Sequence, residues 1–200
     1  MAVKVAIVYY SATGTVQGMA ELAAAAAESA GAEVRLRPVA RQGGGDREAS
    51  EAQQQAAEQA EQNPSATAED IVWADAVLFG SPTRYGNVAG QLKLFIDSLG
   101  AQWAQGQLAD KVYAGFTASQ TAHGGQETTL LALYNTIYHF GGIIVPPGYT
   151  EGLKFVDGNP YGVSHVTGGD NDIPLGDAEK AALDHLARRV VTVAGRLTSA

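Results

Sequence analysis

The sequence predicts a doubly wound α/β domain built on one parallel sheet. Two observations carry this prediction. Strand-like apolar runs alternate with helical patterns five times along 200 residues. The first run, residues 3–10, is apolar throughout, as a strand covered on both faces must be. Hydrophobic residues make up 46% of the chain, enough to fill a core, and the length suits one domain over residues 1–200.

Residues 16–30 follow the first strand as a helix, with Val16, Met19, Ala23, Ala26 and Ala30 on one face and Gly31 as its stop. Residues 33–39 form strand two. Residues 41–70 read as an insertion: they open on Gly43-Gly44-Gly45, continue in alanine, glutamine and glutamate, and end at Asn63-Pro64-Ser65. Their centre is either a polar surface helix or a loop without structure of its own. Residues 76–81 are strand three, followed by a helix with Val88, Leu92, Phe95 and Leu99 on its apolar stripe. Residues 112–117 are strand four, followed by a helix marked by Leu130, Leu133, Ile137 and Phe140. Residues 142–145 are strand five, closed by Pro146-Pro147, and residues 150–172 form a glycine-rich loop. Leu183, Leu186, Val190, Val193 and Leu197 set the last helix against the core.

The net charge is -8. Nucleic acids and anionic membranes select basic surfaces, so neither is an expected partner. The chain has no cysteine, which excludes disulfides, thiolate chemistry and iron–sulfur clusters, and no metal site is expected. Met1-Ala2-Val3-Lys4 runs directly into the first strand without a signal-peptide pattern, and no apolar run is long enough to span a bilayer. A cytoplasmic location is the expectation.

In such folds the ligand lies beyond the carboxyl ends of the strands. Three loops meet there. The first holds Ser11, Ala12, Thr13, Gly14, Thr15 and Val16, between a strand end and a helix N-terminus. Free backbone N–H groups and the helix dipole favour an anion at such a place, and the hydroxyls add donors. No lysine follows, so it is not a Walker-type loop; it suits a phosphate monoester held by neutral groups. The plainer role of Ser and Thr at this position is helix capping. The second loop is Ser81-Pro82-Thr83-Arg84-Tyr85-Gly86-Asn87. Pro82 restricts the turn, Gly86 lets backbone approach a planar ligand, Tyr85 borders a ring face and Arg84 meets negative charge. Asn87 either joins them or caps the helix that begins at Val88. The third loop carries Thr117, Ala118, Ser119, Gln120, Thr121, Ala122, His123 and Gly124, followed by Gly125-Gln126-Glu127. Its amides are placed to bind the polar edge of a planar ligand. Glu127 also serves as dipole compensation, and His123 is either exposed or in touch with substrate.

With these loops placed, the chain resembles the WrbA family of flavodoxin-like NAD(P)H:quinone oxidoreductases. The resemblance rests on Tyr9-Tyr10-Ser11, Pro82-Thr83-Arg84-Tyr85-Gly86-Asn87, Phe95-Ile96-Asp97, Trp103, Gly124-Gly125-Gln126-Glu127-Thr128 and Val145-Pro146-Pro147-Gly148-Tyr149. Pro160-Tyr161-Gly162 and Gly168-Gly169-Asp170 also fit. It implies a five-stranded sheet in the order 2-1-3-4-5 with an insertion after strand two. It implies FMN as cofactor, with its phosphate on Ser11 to Val16 and its ring and ribityl chain among Pro82 to Asn87 and Thr117 to Gly124. It implies NADH or NADPH as co-substrate and a quinone as acceptor, reduced by two electrons in a ping-pong cycle. His139 matches a histidine that lines the flavin pocket and is expected to act as an acid–base group, and Trp103 and Tyr85 match substrate contacts. The family forms homotetramers whose pockets are completed by neighbouring subunits, so Trp103 and His139 are expected to act across an interface. Thr13 stands where many members have an aromatic linked to nicotinamide binding. The rival readings are a flavodoxin-type electron carrier and a redox-stress signalling protein. A phospho-acceptor receiver would need acidic strand ends, and the first strand ends in Tyr9-Tyr10-Ser11.

Overall fold

A computed structural model describes residues 1–40, 51–60 and 62–199. The chain opens with β1 (Lys4–Tyr9), α1 (Thr15–Ser29) and β2 (Glu33–Pro38). It continues with α2 (Glu51–Ala60), α3 (Ala68–Trp73), β3 (Ala76–Arg84) and β4 (Asn87–Val88). Next come α4 (Gly90–Asp97), α5 (Gly100–Ala104), β5 (Val112–Ser119) and α6 (Gln126–Phe140). The end is β6 (Ile143–Ile144), α7 (Lys154–Asp157), β7 (Val163–Val166) and α8 (Asp177–Thr198).

The sheet runs β2-β1-β3-β5-β6, with all of these pairs parallel. This is the expected doubly wound order. Alternate residues of β1 explain its unbroken apolar character. Val5, Ile7 and Tyr9 pack with α1 and α8 on one face. Ala6 and Val8 pack with Ile71, Leu92, Leu133 and Ile137 on the other. Both faces are buried, so no polar alternation is tolerated. Along α8, Leu183, Leu186 and Val190 are fully buried, whereas Leu197 is exposed in the last turn.

The edge strand departs from expectation. It is filled by two separate pieces, both parallel to β5: β6 beside Val112 and Tyr113, and β7 beside residues 116–119. Pro146-Pro147 explains the first break, because proline has no N–H to continue the ladder. The chain then leaves the sheet, makes α7 and returns as β7, within what reads as a plain glycine-rich loop. Gly162 marks the return: a Cβ there would lie 2.3 Å from the Gly115 carbonyl oxygen. Gly162→Ala should therefore cost about 1–3 kcal/mol by overpacking. A urea-unfolding midpoint equal to that of the parent would contradict this.

The insertion is helical at α2, while its glycine-rich opening at Gly43-Gly44-Gly45 lies outside the described residues. Its end is anchored rather than loose. Ile71 is fully buried, and Asp70 receives Arg35 and Arg37 at 3.1 Å each. Burial pushes the Asp70 carboxyl up, but the Thr67 hydroxyl and amide and the two guanidinium groups outweigh it and hold it below its ordinary value. The Arg35 guanidinium also lies 4.0 Å from the Trp73 ring centre. The helix expected at Val88 begins later, at Gly90, because Asn87 and Val88 pair antiparallel with Arg84 and Thr83. Asn87 is thus not a helix cap; Ala89 holds that position, and its N–H is bonded to the Ser81 hydroxyl at 2.8 Å.

Candidate functional site

The carboxyl ends of β1, β3 and β5 enclose a cleft of about 570 Å³. From the first loop, Ser11, Ala12, Thr13, Thr15 and Val16 line it. Gly14 turns the chain with φ +90°, a left-handed conformation that a side chain would strain. Its N–H donates to the Ser11 hydroxyl at 3.1 Å, which fixes the turn. Helix α1 starts at the next residue with no side-chain cap and no acidic group in its first turn. Its positive end therefore faces the cleft with no acidic residue of its own first turn to offset it.

Pro82, Thr83, Arg84 and Tyr85 form the second wall, and Ala118, Ser119, Gln120, Thr121 and Gly124 the third. Thr83 ties these walls together. Its hydroxyl donates to the Gly124 carbonyl at 3.3 Å and receives the Gly86 N–H at 3.3 Å. The Thr129 hydroxyl lies 2.8 Å from it. Backbone approach is close: a Cβ on Gly125 would meet Gly86 Cα at 2.8 Å. Tyr85 has φ +54° and its side chain stands fully in solvent at the mouth. Ser119 and Gly124 are locked through the Thr121 carbonyl at 2.8 and 3.0 Å.

The cleft's charge differs from that of the whole chain. Among the described residues its lining holds no carboxylate and one cation, Arg84, although the chain carries a net charge of -8. Below the mouth, the Thr117 hydroxyl oxygen is buried and has no hydrogen-bond partner among the described residues. Tyr9, at the end of β1, is likewise buried with an unpartnered hydroxyl; burial, then Glu21, pushes its pKa up to about 12.

Not every sequence candidate lies here. Gly14, Gly86, Asn87 and Thr117 shape the walls without lining the cleft. Ala122 and His123 face a second cleft on the other side of the third loop. Trp103 and His139 sit together elsewhere, with the indole N–H donating to the His139 carbonyl at 2.8 Å. His139 is near the far end of α6, a 15-residue helix whose N-terminus adjoins the third loop. At 1.5 Å per residue this puts it roughly 20 Å from that loop. Two lining residues escaped the sequence reading: Thr167 and Asn171. The Thr167 N–H extends the sheet to the Ser119 carbonyl at 2.8 Å, and its hydroxyl donates to Asn171 Oδ1 at 2.9 Å. Gly168-Gly169-Asp170 between them was the available signal.

Order 2-1-3-5-6, with a polar cleft at the strand ends, defines a flavodoxin-type α/β protein. A flavodoxin, WrbA-like protein from Agrobacterium tumefaciens superimposes with TM-score 0.69 at 24% identity, over 98% of this chain and 99% of that one. The sequence profile of the NADPH-dependent FMN reductase family matches residues 3–151. The chain belongs to that family. It is 43% identical over 197 residues to the NAD(P)H dehydrogenase (quinone) of Deinococcus radiodurans, covering 98% of this chain and 97% of the relative. The protein of the same name from Sinorhizobium fredii is 41% identical over 199 residues, covering 97% and 98%.

Proposed function

We propose that this chain is an FMN-dependent NAD(P)H:quinone oxidoreductase. The observation that carries the proposal is a cleft whose described lining has no carboxylate, around the start of α1, which has no side-chain cap. The donor set fits FMN. The amides at the N-terminus of α1, with the hydroxyls of Ser11, Thr13 and Thr15, would hold the phosphate dianion. Thr83, Arg84 and Tyr85 on one side and Ala118 to Thr121 and Gly124 on the other would hold the ring and ribityl chain. Thr117 and Ser119 are the nearby hydroxyls of β5. Bound FMN supplies the redox chemistry, accepting two electrons from reduced nicotinamide and passing two to a quinone.

The protein's part is orientation, charge and exclusion of water. Arg84 places a positive charge beside the ring site, where negative charge would develop. Tyr85 stands at the mouth as a ring contact for either substrate. Both substrates use that one mouth, so oxidised nicotinamide leaves before quinone enters, which is a ping-pong cycle. Trp103 and His139 are too far from the cleft of their own chain. They serve instead the cleft of a neighbouring copy in a homotetramer, where the His139 imidazole would donate a proton to a quinone oxygen. Trp103, Tyr138, Leu94 and Leu131 are exposed apolar side chains of α4, α5 and α6, as an intersubunit face would present. A single domain in the cytoplasm fits this reading; among the described residues no helix is long and apolar enough to cross a membrane.

The test is spectroscopic. Protein purified with FMN should be yellow, bleach with NADH or NADPH, and recover its colour when benzoquinone is added. With both substrates varied, reciprocal plots should be parallel. A protein that takes up no FMN, or plots that intersect, would count against the proposal.

A further inference from the structure

The third loop has two sides. Thr121 and Gly124 face the first cleft, whereas Ala122, His123, Gln126 and Glu127 face a second cleft of about 510 Å³. The far wall of that second cleft comes from α7, β7 and the start of α8, the parts created by the split edge strand. Its charge is opposite in character to that of its neighbour. Among the described residues three carboxylates line it, Glu127, Asp157 and Glu179, and no lysine or arginine does.

We infer that the second cleft binds the adenosine ribose of the nicotinamide donor, and that its carboxylates make this chain select NADH over NADPH. The inference rests on the oxidoreductase proposal and deepens it. A dinucleotide's two halves are joined by a pyrophosphate, so their subsites must adjoin, and these two clefts share one loop as a common wall.

Asp157 gives the chemical direction. Its side chain is 2% exposed, and one oxygen, Oδ2, accepts from the buried Lys154 ammonium. The Asn159 backbone amide lies near the carboxylate, but among the described residues no well-formed hydrogen bond reaches Oδ1. A buried carboxylate oxygen without a well-formed bond has acceptor capacity left for a hydroxyl donor, which a ribose diol supplies. A 2′-phosphate offers only acceptors and negative charge at this position. Lys154 is fully buried beneath, with a second bond to the Gly162 carbonyl at 3.1 Å, and does not line the cleft to meet such a phosphate.

The other two carboxylates reinforce the choice. Glu179 is fixed by the His165 ring at 3.1 Å and the Gly176 N–H at 3.1 Å, so its charge stays in the wall. Glu127 lies in the first turn of α6 and offsets the positive helix end that would otherwise draw an anion. Val156, Val166 and the His123 ring offer the apolar and flat surface a base requires. A carboxylate on the ribose diol favours NADH, where an arginine would accommodate the 2′-phosphate.

Two measurements test this. In the FMN-loaded protein, kcat/KM for NADH should exceed that for NADPH by about tenfold or more. Glu127→Arg should move that ratio toward NADPH by at least about fivefold, chiefly through KM for NADPH, as the conversion from repulsion to attraction requires. Glu28→Arg, the same charge change near the far end of α1, should leave the ratio alone. Equal efficiencies in the parent, or a Glu127→Arg ratio no different from that of Glu28→Arg, would overturn the inference. Calorimetric titration of flavin-free protein separates this outcome from failure of the oxidoreductase proposal. ADP-ribose should bind more tightly than 2′-phospho-ADP-ribose whether or not FMN loads. Equal binding, or none, removes the subsite; failure to load FMN removes the redox reading.

Discussion

Thr15→Asp should lower FMN affinity by roughly a thousandfold without unfolding the protein. Thr15 is the first residue of α1 and lines the cleft beside Ser11 and Thr13. A carboxylate about 4 Å from a phosphate charge costs on the order of 4 kcal/mol at the effective dielectric of a protein surface, which is the stated loss. The same carboxylate at an uncompensated helix N-terminus stabilises the helix by about 0.3–1 kcal/mol. The two effects therefore have opposite signs. Flavin-fluorescence titration should show the loss, and thermal melting of the flavin-free variant should show an unchanged or slightly higher midpoint. A variant that binds FMN as the parent does would mean the phosphate sits elsewhere. A variant that simply unfolds would mean that Thr15 matters for another reason.

Lys154→Ala should be the most damaging single change outside the cleft. The ammonium is fully buried and bonds the Asp157 carboxylate and the Gly162 carbonyl. Burial pushes the lysine pKa down and the aspartate pKa up, each partly countered by attraction to the other. Removing one member leaves a buried, unpaired charge, which costs about 3–5 kcal/mol. For a domain of this size that lowers the melting midpoint by roughly 10 °C. Lys154→Met combined with Asp157→Leu should recover most of the loss, because an apolar pair of similar size carries no desolvation cost. A single variant melting within a degree or two of the parent would show that α7 contributes little to the fold.

The parts of the fold legible in the sequence were those with long, uninterrupted patterns. The β1 run and the α1 and α8 stripes follow directly from burial on one or both sides. The split of the edge strand was not legible. A two-residue strand, Ile143–Ile144, and a four-residue one, Val163–Val166, carry too little periodicity, and their identity comes from pairing with β5. Asn87 fits two readings because an asparagine before an apolar run is a common cap; the structure removes the capping one, since that run begins in a ladder with β3 and Ser81, six residues earlier, receives the N–H of the capping position. In the site, the three loops converge as their positions after parallel strands require. Thr167 and Asn171 reach the cleft only because β7 lies beside the end of β5. Trp103 and His139 show the limit of one chain's sequence: helical position sets His139 roughly 20 Å from the third loop of its own chain, and no local motif signals that separation.

On the proposed function, an electrically neutral turn at the start of α1 grips a phosphate. The direct measurement is the affinity of flavin-free protein for FMN against riboflavin, followed by quenching of flavin fluorescence. The two ligands share the ring and ribityl chain and differ in the phosphate alone. FMN should bind at least about a hundredfold more tightly, as several amide and hydroxyl bonds to a dianion imply. Equal affinities would show that the first loop plays no part in holding the flavin.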